Sequence, residues 1–367
     1  MKIGVLTSSR ADFGIYLPLL KLLKKDSFFE VNIIAFGTHL ASSFGTTINE
    51  IIDSDFEVAF SVDTMPDSDT PQDIAMSMGK AIINFSKVWQ DNKFDYLLAL
   101  GDRFEMFAAC ASTIPFNIPI AHIHGGEETM GAIDNVFRHS ISHMSSCHFA
   151  TTEIYKQRVV KLKEIDKNIY NVGALSIDNL NTLQLLSIEK FKNNFGIDLS
   201  KKTILITFHP ETIAFEKNHE YINELIAALE EVNNYQLVIT MPNADTMGNF
   251  IRKELLSLKE RKNNVFCIES FGAVGYLSCM KHCTMLLGNT SSGFVEASFF
   301  PKYVINLGNR QFGRIITENI KNCELRKELI LEAINAYDSF LIPESVKIYG
   351  NGKAAEQIVY YLKSFHV

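Results

Sequence analysis

Three imidazoles, three carboxylates and a guanidinium crowd one short stretch of this sequence, AHIHGGEETMGAIDNVFRH, from Ala121 to His139. His122, His124, Glu127, Glu128, Asp134, Arg138 and His139 surround the pair Gly125-Gly126. Two imidazoles and several carboxylates there could supply the acid and base for moving protons on and off carbon or oxygen. The apolar segment Asn117–Ile123 reads as a buried strand that the glycines break. Ligands bind at that end of the strands in open α/β sheets. A polar loop entering a helix, with Asp134 in its first turn, would give part of the same pattern.

The elements that must position these groups follow one grammar. Lys2–Thr7 is a hydrophobic strand, Ser8-Ser9-Arg10 a turn, and Ile15, Leu19, Leu22 and Leu23 mark a helix. Strand, polar turn and helix open a doubly wound sheet. The turn lacks GxGxxG, so no dinucleotide fingerprint is present. Arg10 sits where a phosphate or sugar could be met at a helix N-terminus, or is simply a surface arginine. Val31–Phe36 is a second strand, and Phe44–Pro71 reads as a solvated, partly acidic loop with short elements. The helix Asp73–Trp89 and the strand Tyr96–Leu100 precede Gly101-Asp102-Arg103-Phe104-Glu105. That puts a carboxylate and a guanidinium on the same rim as Arg10 and His124. Asp102 can be a functional carboxylate, a helix N-cap, or both. Cys147–Ala150 is a further short strand, and the Lys- and Asn-rich stretch from Ser187 to Lys202 reads as the end of a linker helix.

The second half restarts the pattern. Thr203–Phe208 runs into His209-Pro210-Glu211, and Gln236–Met241 into Pro242-Asn243-Ala244-Asp245. Met285–Leu287 leads to Gly288-Asn289-Thr290-Ser291-Ser292-Gly293, with a helix containing Glu296 from Phe294 onward, and Tyr303–Leu307 precedes Gly308-Asn309-Arg310-Gln311. Strand, small-residue turn and helix start make an anion site from backbone N–H groups and hydroxyls, although small residues there also serve as caps. Glu296, one turn inside, is placed to accept from a ribose diol. Two α/β halves with polar residues at their strand ends imply Rossmann-like domains facing across a cleft, at 1–180 and 181–350. A last helix within 351–367 is expected to pack back on the first.

Length and composition agree. A chain of 367 residues suits about two domains. Net charge −7 with pI near 5.8, and no basic run, argues against a nucleic-acid surface. No apolar run approaches the roughly 18 residues of a membrane span. The start MKIGVLTSSR reads as a strand and not a signal peptide, so a cytoplasmic chain is expected. The six cysteines are scattered among apolar residues and read as buried thiols. Cys279 and Cys283 lack the second ligand pair of a zinc site.

Seven motifs in register carry a resemblance. They are RADFG (10–14), GDRFE (101–105), HIHGGE (122–127) with D-x3-RH (134–139), FHPET (208–212), PNADTMG (242–248), GNTSSG-x2-E (288–296) and NLGNRQ-x-GR (306–314). This series resembles the hydrolysing UDP-N-acetylglucosamine 2-epimerases of the sialic-acid and related nonulosonate pathways, over nearly the whole chain. The resemblance implies a glycosyltransferase-B-like fold and chemistry without metal or nicotinamide cofactor. It implies elimination of UDP across C1–C2 after removal of the C2 proton, then hydration to free N-acetylmannosamine.

By that resemblance Arg10, Arg103, His209, Asn243, Thr290, Ser291, Ser292, Glu296 and Arg310 match nucleotide- and phosphate-binding places. Asp102 and Asp134 match catalytic carboxylates, and His209 is a further catalytic candidate. His124 stands where many relatives carry glutamate, leaving the proton chemistry to His124 or Glu127; a neutral imidazole serves as base or acid near pH 7. UDP-N,N'-diacetylbacillosamine or GDP-N-acetylglucosamine are alternative substrates, and a glycosyltransferase of the same architecture is the alternative activity. The expected partners are a nucleotide sugar and further copies of the chain, as dimer or tetramer, with neither nucleic acid nor membrane.

Overall fold

A computed structural model describes residues 1–41, 47–242, 247–341 and 346–365. Asn243 lies outside them. Two compact units emerge. The first comprises 1–127, 134–182 and 348–367, the second 128–133 and 183–347.

The first unit is built on a seven-stranded sheet: β1 (Lys2–Thr7), β2 (Glu30–Phe36), β3 (Val58–Val62), β4 (Tyr96–Leu100), β5 (Ile120–Ile123), β6 (Cys147–Ala150) and β7 (Ile169–Asn171). Their order is β3-β2-β1-β4-β5-β6-β7, every pair parallel. The second unit carries β8 (Thr203–Thr207), β9 (Gln236–Thr240), β10 (Val265–Ile268), β11 (Met285–Gly288), β12 (Tyr303–Leu307) and β13 (Ile320–Cys323). These are again all parallel, in the order β10-β9-β8-β11-β12-β13. Both are doubly wound orders. The chain reverses its winding between β1 and β4, and between β8 and β11, and ligands bind at such switch points. Helices cover the faces, so the central strands are buried on both sides and read as unbroken apolar runs. β4, YLLAL, and β8, TILIT, are examples.

Four local readings change. β5 begins only at Ile120, because a 3-10 turn over Ile114–Phe116 ends on left-handed Asn117 (φ 52°). Within Phe44–Pro71, Val58–Val62 pairs parallel with β2 as an edge strand with alternate residues exposed. Residues 42–46 are outside the described set. The Ser187–Lys202 stretch is no linker: Ile188–Phe195 is a helix capped by Ser187 and closed by Gly196 (φ 72°). Its fully buried Phe191 shares a core with Ile197 and Leu199 in the second unit. Finally, the helix after β11 is much shorter than expected, as described below.

The C-terminal helix Ala354–Ser364 buries Ala354, Ala355, Ile358 and Leu362 in the core that holds Tyr16, Leu19, Leu20 and Leu23 of the helix Arg10–Lys25. Each fully buried leucine there contributes roughly 2 kcal/mol. Asp178 fixes the helix start, its two oxygens accepting from the N–H groups of Ala354 (3.0 Å) and Ala355 (2.7 Å). No helix among the described residues is long and apolar enough to cross a membrane.

Candidate active site

In the first unit the candidate residues gather at the C-terminal ends of β1, β4 and β5. After β1, Ser9 caps the helix Arg10–Lys25. Asp12 reaches back to accept from the Ser8 N–H (3.0 Å) and hydroxyl (2.6 Å). This reciprocal cap fixes the turn from which half-buried Arg10 emerges. After β4, Arg103 and not Asp102 occupies the N-cap of the helix Phe104–Thr113, with no side-chain cap bond. The capping reading of Asp102 is thereby replaced: its carboxylate is bonded to the Arg138 guanidinium. Arg138 is buried, and its other terminal nitrogen donates to the Glu127 carbonyl at 3.0 Å. Arg103 donates through Nε to Glu105 (2.7 Å). Burial raises the Glu105 carboxyl above the usual range, against the pull of that arginine.

After β5 the two neighbouring histidines separate in role. His122 is fully buried, with Nε2 2.8 Å from the Gly101 carbonyl and Nδ1 2.9 Å from the Ser142 hydroxyl. A carbonyl only accepts, so Nε2 carries the proton and Nδ1 accepts from Ser142. Burial pushes this imidazole down to about 4, so it is neutral and structural and offers no proton to a ligand. His124, one pleat on, has left-handed backbone (φ 67°). A non-glycine residue there is strained by roughly 1 kcal/mol or more, and such strain clusters at functional positions. Its Nδ1 lies 3.5 Å from Glu127 Oε1, which also accepts from the Thr151 hydroxyl at 3.0 Å. Side-chain exposure is 13% for His124 and 4% for Glu127, so the imidazole is the accessible member of the pair. Asp134 opens the helix Asp134–Met144, which also holds Arg138.

The second unit's rim is knitted by one buried asparagine. Asn289, after β11, accepts from the His209 N–H (2.7 Å) and donates to the His209 carbonyl (2.8 Å), tying down the loop after β8. Its own carbonyl accepts from Gln311 (2.8 Å) in the loop after β12, and Gln311 in turn accepts from Arg314 Nε (2.6 Å). Glu211 adds a second tie by accepting from the Asn309 N–H at 2.6 Å. Burial pushes its carboxyl up, opposed by the N–H groups of Asn309 and Arg310. Arg310 is thus held on a turn with two anchors.

The GNTSSG loop starts from Gly288 at φ 139°, where an added Cβ would lie 2.0 Å from the Thr207 carbonyl of the neighbouring strand. Only glycine fits there. The loop then makes a 3-10 turn, Ser291–Gly293, capped by Thr290, and a helix of four residues, Glu296–Phe299. Pro301 follows closely and stops that helix. The expected dipole of a full helix is therefore absent. What remains for an anion is the hydroxyls and N–H groups of Thr290, Ser291 and Ser292, with Ser292 Oγ 2.5 Å from the Tyr276 hydroxyl.

Sequence reading had assigned no role to Arg138, Glu211, Asn289 or Gln311. All four lie inside the seven motifs; Glu211, Asn289 and Gln311 follow strand ends, which was the available signal, whereas Arg138 sits within the helix Asp134–Met144.

A family profile described as UDP-N-acetylglucosamine 2-epimerase matches residues 21–363. The GDP/UDP-N,N'-diacetylbacillosamine 2-epimerase (hydrolyzing) of Campylobacter jejuni is 34% identical over 325 residues, 88% of this chain and 84% of that one. The UDP-N,N'-diacetylbacillosamine 2-epimerase (hydrolyzing) of Legionella pneumophila is 31% identical over 364 residues, 99% of this chain and 96% of that one. Among solved structures, the UDP-GlcNAc 2-epimerase of Neisseria meningitidis bound to UDP-GlcNAc aligns with TM-score 0.84 at 20% identity, over 99% of this chain and 100% of that one. That likeness shows the shared fold, two Rossmann-like units of the glycosyltransferase-B class. With the profile spanning nearly the whole sequence, the chain belongs to the UDP-N-acetylglucosamine 2-epimerase family.

Proposed function

We propose that this protein is a hydrolysing 2-epimerase that converts a UDP-linked 2-acetamido sugar to its free 2-epimer and UDP. The observation that carries the reading is the chain Asp102–Arg138–Glu127–His124, which fixes two carboxylates and an imidazole at the strand ends of the first unit. In this reading a base takes the C2 proton and the released electron pair forms the C1–C2 double bond. The C1–O bond breaks in that same step, UDP leaving with its electrons. Water adds its oxygen to C1, and a proton returns to C2 from the other face.

The C2 proton is weakly acidic, so its base must be positioned and partly desolvated. His124 is the better exposed candidate, and Glu127, steadied by Thr151, stabilises the imidazolium that forms. Asp102 and Asp134 supply the second acid–base step. Negative charge developing on UDP is met by Arg10, Arg103 and Arg310 and by the donors of Thr290, Ser291 and Ser292, while Glu296 takes the ribose. His209, in the loop after β8, and Asn243 join them by resemblance.

Two relatives above 30% identity bear diacetylbacillosamine names, which favours UDP-N,N'-diacetylbacillosamine as substrate, while a third, at 32%, bears the name of a polysialic acid biosynthesis protein. The family description favours UDP-N-acetylglucosamine as the second reading. Proton NMR in heavy water with each sugar nucleotide tests both. UDP release with free sugar deuterated at C2 is expected, faster for the preferred substrate. Free sugar that keeps its original C2 proton, or UDP released only when an acceptor sugar is added, would overturn the proposal in favour of plain hydrolysis or glycosyl transfer.

A further inference from the structure

Six residues, Glu128–Ile133, group with the second unit, although the residues on either side of them, Glu127 and Asp134, belong to the first. Within the second unit the segment is seated at three points. The Met130 N–H donates to the Phe312 carbonyl (2.9 Å), and the Ile133 N–H to the Thr212 hydroxyl (2.8 Å). Between them Gly131 lies flat on the turn that carries Arg310. An added Cβ would fall 2.4 Å from the Asn309 carbonyl oxygen and 2.6 Å from the Arg310 Cα. Both obstacles are backbone, and the Asn309 N–H is pinned by Glu211, so the turn has little freedom to yield. The other side of the contact is equally close: a Cβ on Gly313 would meet Glu128 Oε2 at 2.6 Å. Ala132 is fully buried, and its N–H donates to the Thr129 carbonyl (2.9 Å), which curls the segment into a turn of its own.

A seat made by glycine against backbone is specific and leaves no slack. We infer that Glu128–Ile133 is a strap through which the Arg310 turn sets the placement of Glu127 and Asp134, with Gly131 and Thr212 as its positioning residues. This rests on the function proposed above, in which Arg310 meets the nucleotide and the flanking carboxylates serve the sugar. The strap then couples the two tasks: a nucleotide that orders the Arg310 turn also orders the segment whose ends carry acid–base groups. Neither Gly131 nor Thr212 needs to touch the substrate.

Gly131→Ala and Thr212→Val test this, with Thr212→Ser as the conservative control that keeps the hydroxyl acceptor. Turnover and UDP affinity are measured together with hydrogen exchange of the 128–134 amides, with and without UDP. In wild-type protein UDP should slow exchange of the Met130 and Ile133 amides. Gly131→Ala should lose that protection and at least tenfold in kcat, with UDP affinity within about threefold of wild type. Thr212→Val should lose kcat similarly and Thr212→Ser recover it. Wild-type kcat in both Gly131→Ala and Thr212→Val, or exchange at 128–134 indifferent to UDP in wild-type protein, would overturn the strap. Should the wild-type protein turn over no sugar nucleotide, the functional proposal fails, while the exchange arm still judges the strap by UDP alone.

Discussion

Arg138 is the residue on which the first unit's site geometry turns, and its replacement separates fold from chemistry. One guanidinium meets two acceptors, the Asp102 carboxylate through one terminal nitrogen and the Glu127 carbonyl through the other. Arg138→Met keeps the length and removes both bonds. A buried carbonyl left unsatisfied costs about 1–3 kcal/mol, and a lost charge-assisted bond about the same. Asp102 is 22% exposed and regains water, so the sum stays near the lower end of what breaking a buried pair costs, about 3 kcal/mol. For a unit of this size that lowers the melting temperature by roughly 6–12 °C. Arg138→Lys keeps the charge, but a single ammonium lacks the planar fork. It should hold Asp102, release Glu127, and cost about 1–2 kcal/mol. With Glu127 loosened, His124 loses its fixed partner, so kcat should fall at least tenfold while UDP affinity holds. Thermal melts, the NMR rate assay and UDP titration read all three. Arg138→Lys with kcat within twofold of wild type would refute the catalytic reasoning, and Arg138→Met melting with wild type would refute the energetics.

Acid should destabilise the protein through its buried histidines. His122 is held down to about 4 and His148 to about 3 by burial, so the unfolded chain binds protons that the fold refuses. Their contribution is complete above about pH 6.5 and is lost as pH falls toward 4, about 3 kcal/mol for His122 alone. Urea midpoints at pH 7.5 and 5 check this, and His122→Gln should flatten the dependence; an equal slope in that variant would clear His122 of the effect. Gly288→Ala, which drives a Cβ into the Thr207 carbonyl, should cost more than roughly 3 kcal/mol and abolish UDP binding. Gly79→Ala, in the helix Pro71–Asp91 with nothing within 4 Å of the new Cβ, should instead raise the melting temperature slightly. Similar melts for the two alanine variants would contradict the steric argument.

The central strands were legible because parallel strands buried on both faces are continuous apolar runs with no periodicity to resolve. Val58–Val62 and Ile320–Cys323 escaped notice for the converse reason: they lie at or near a sheet's edge, and their residues are half exposed. The type and place of Asp102, His124 and Glu127 could be read from strand ends alone. That His122 is structural could not, since its meaning lies in bonds to Gly101 and Ser142, 21 and 20 residues away. Nor could the partnership of Asp102 with Arg138, 36 residues apart, because helix register decides which basic residue arrives. The GNTSSG loop misled in the opposite direction: its composition promises a helix start, but Pro301 cuts that helix to a single turn.

The membership of the helix Ala354–Ser364 in the first unit has a consequence for synthesis on the ribosome. Residues 183–347, with 128–133 already made, can close their core as soon as they emerge. The earlier-made unit must wait, with the strip of Leu19, Leu20 and Leu23 uncovered and the oxygens of Asp178 unmet, until the last helix follows. At about 5–20 residues per second the interval is seconds or more, long enough for a chaperone to find that strip. The unit whose synthesis begins first is thus completed only once the helix Ala354–Ser364 has emerged, after the residues of the second unit.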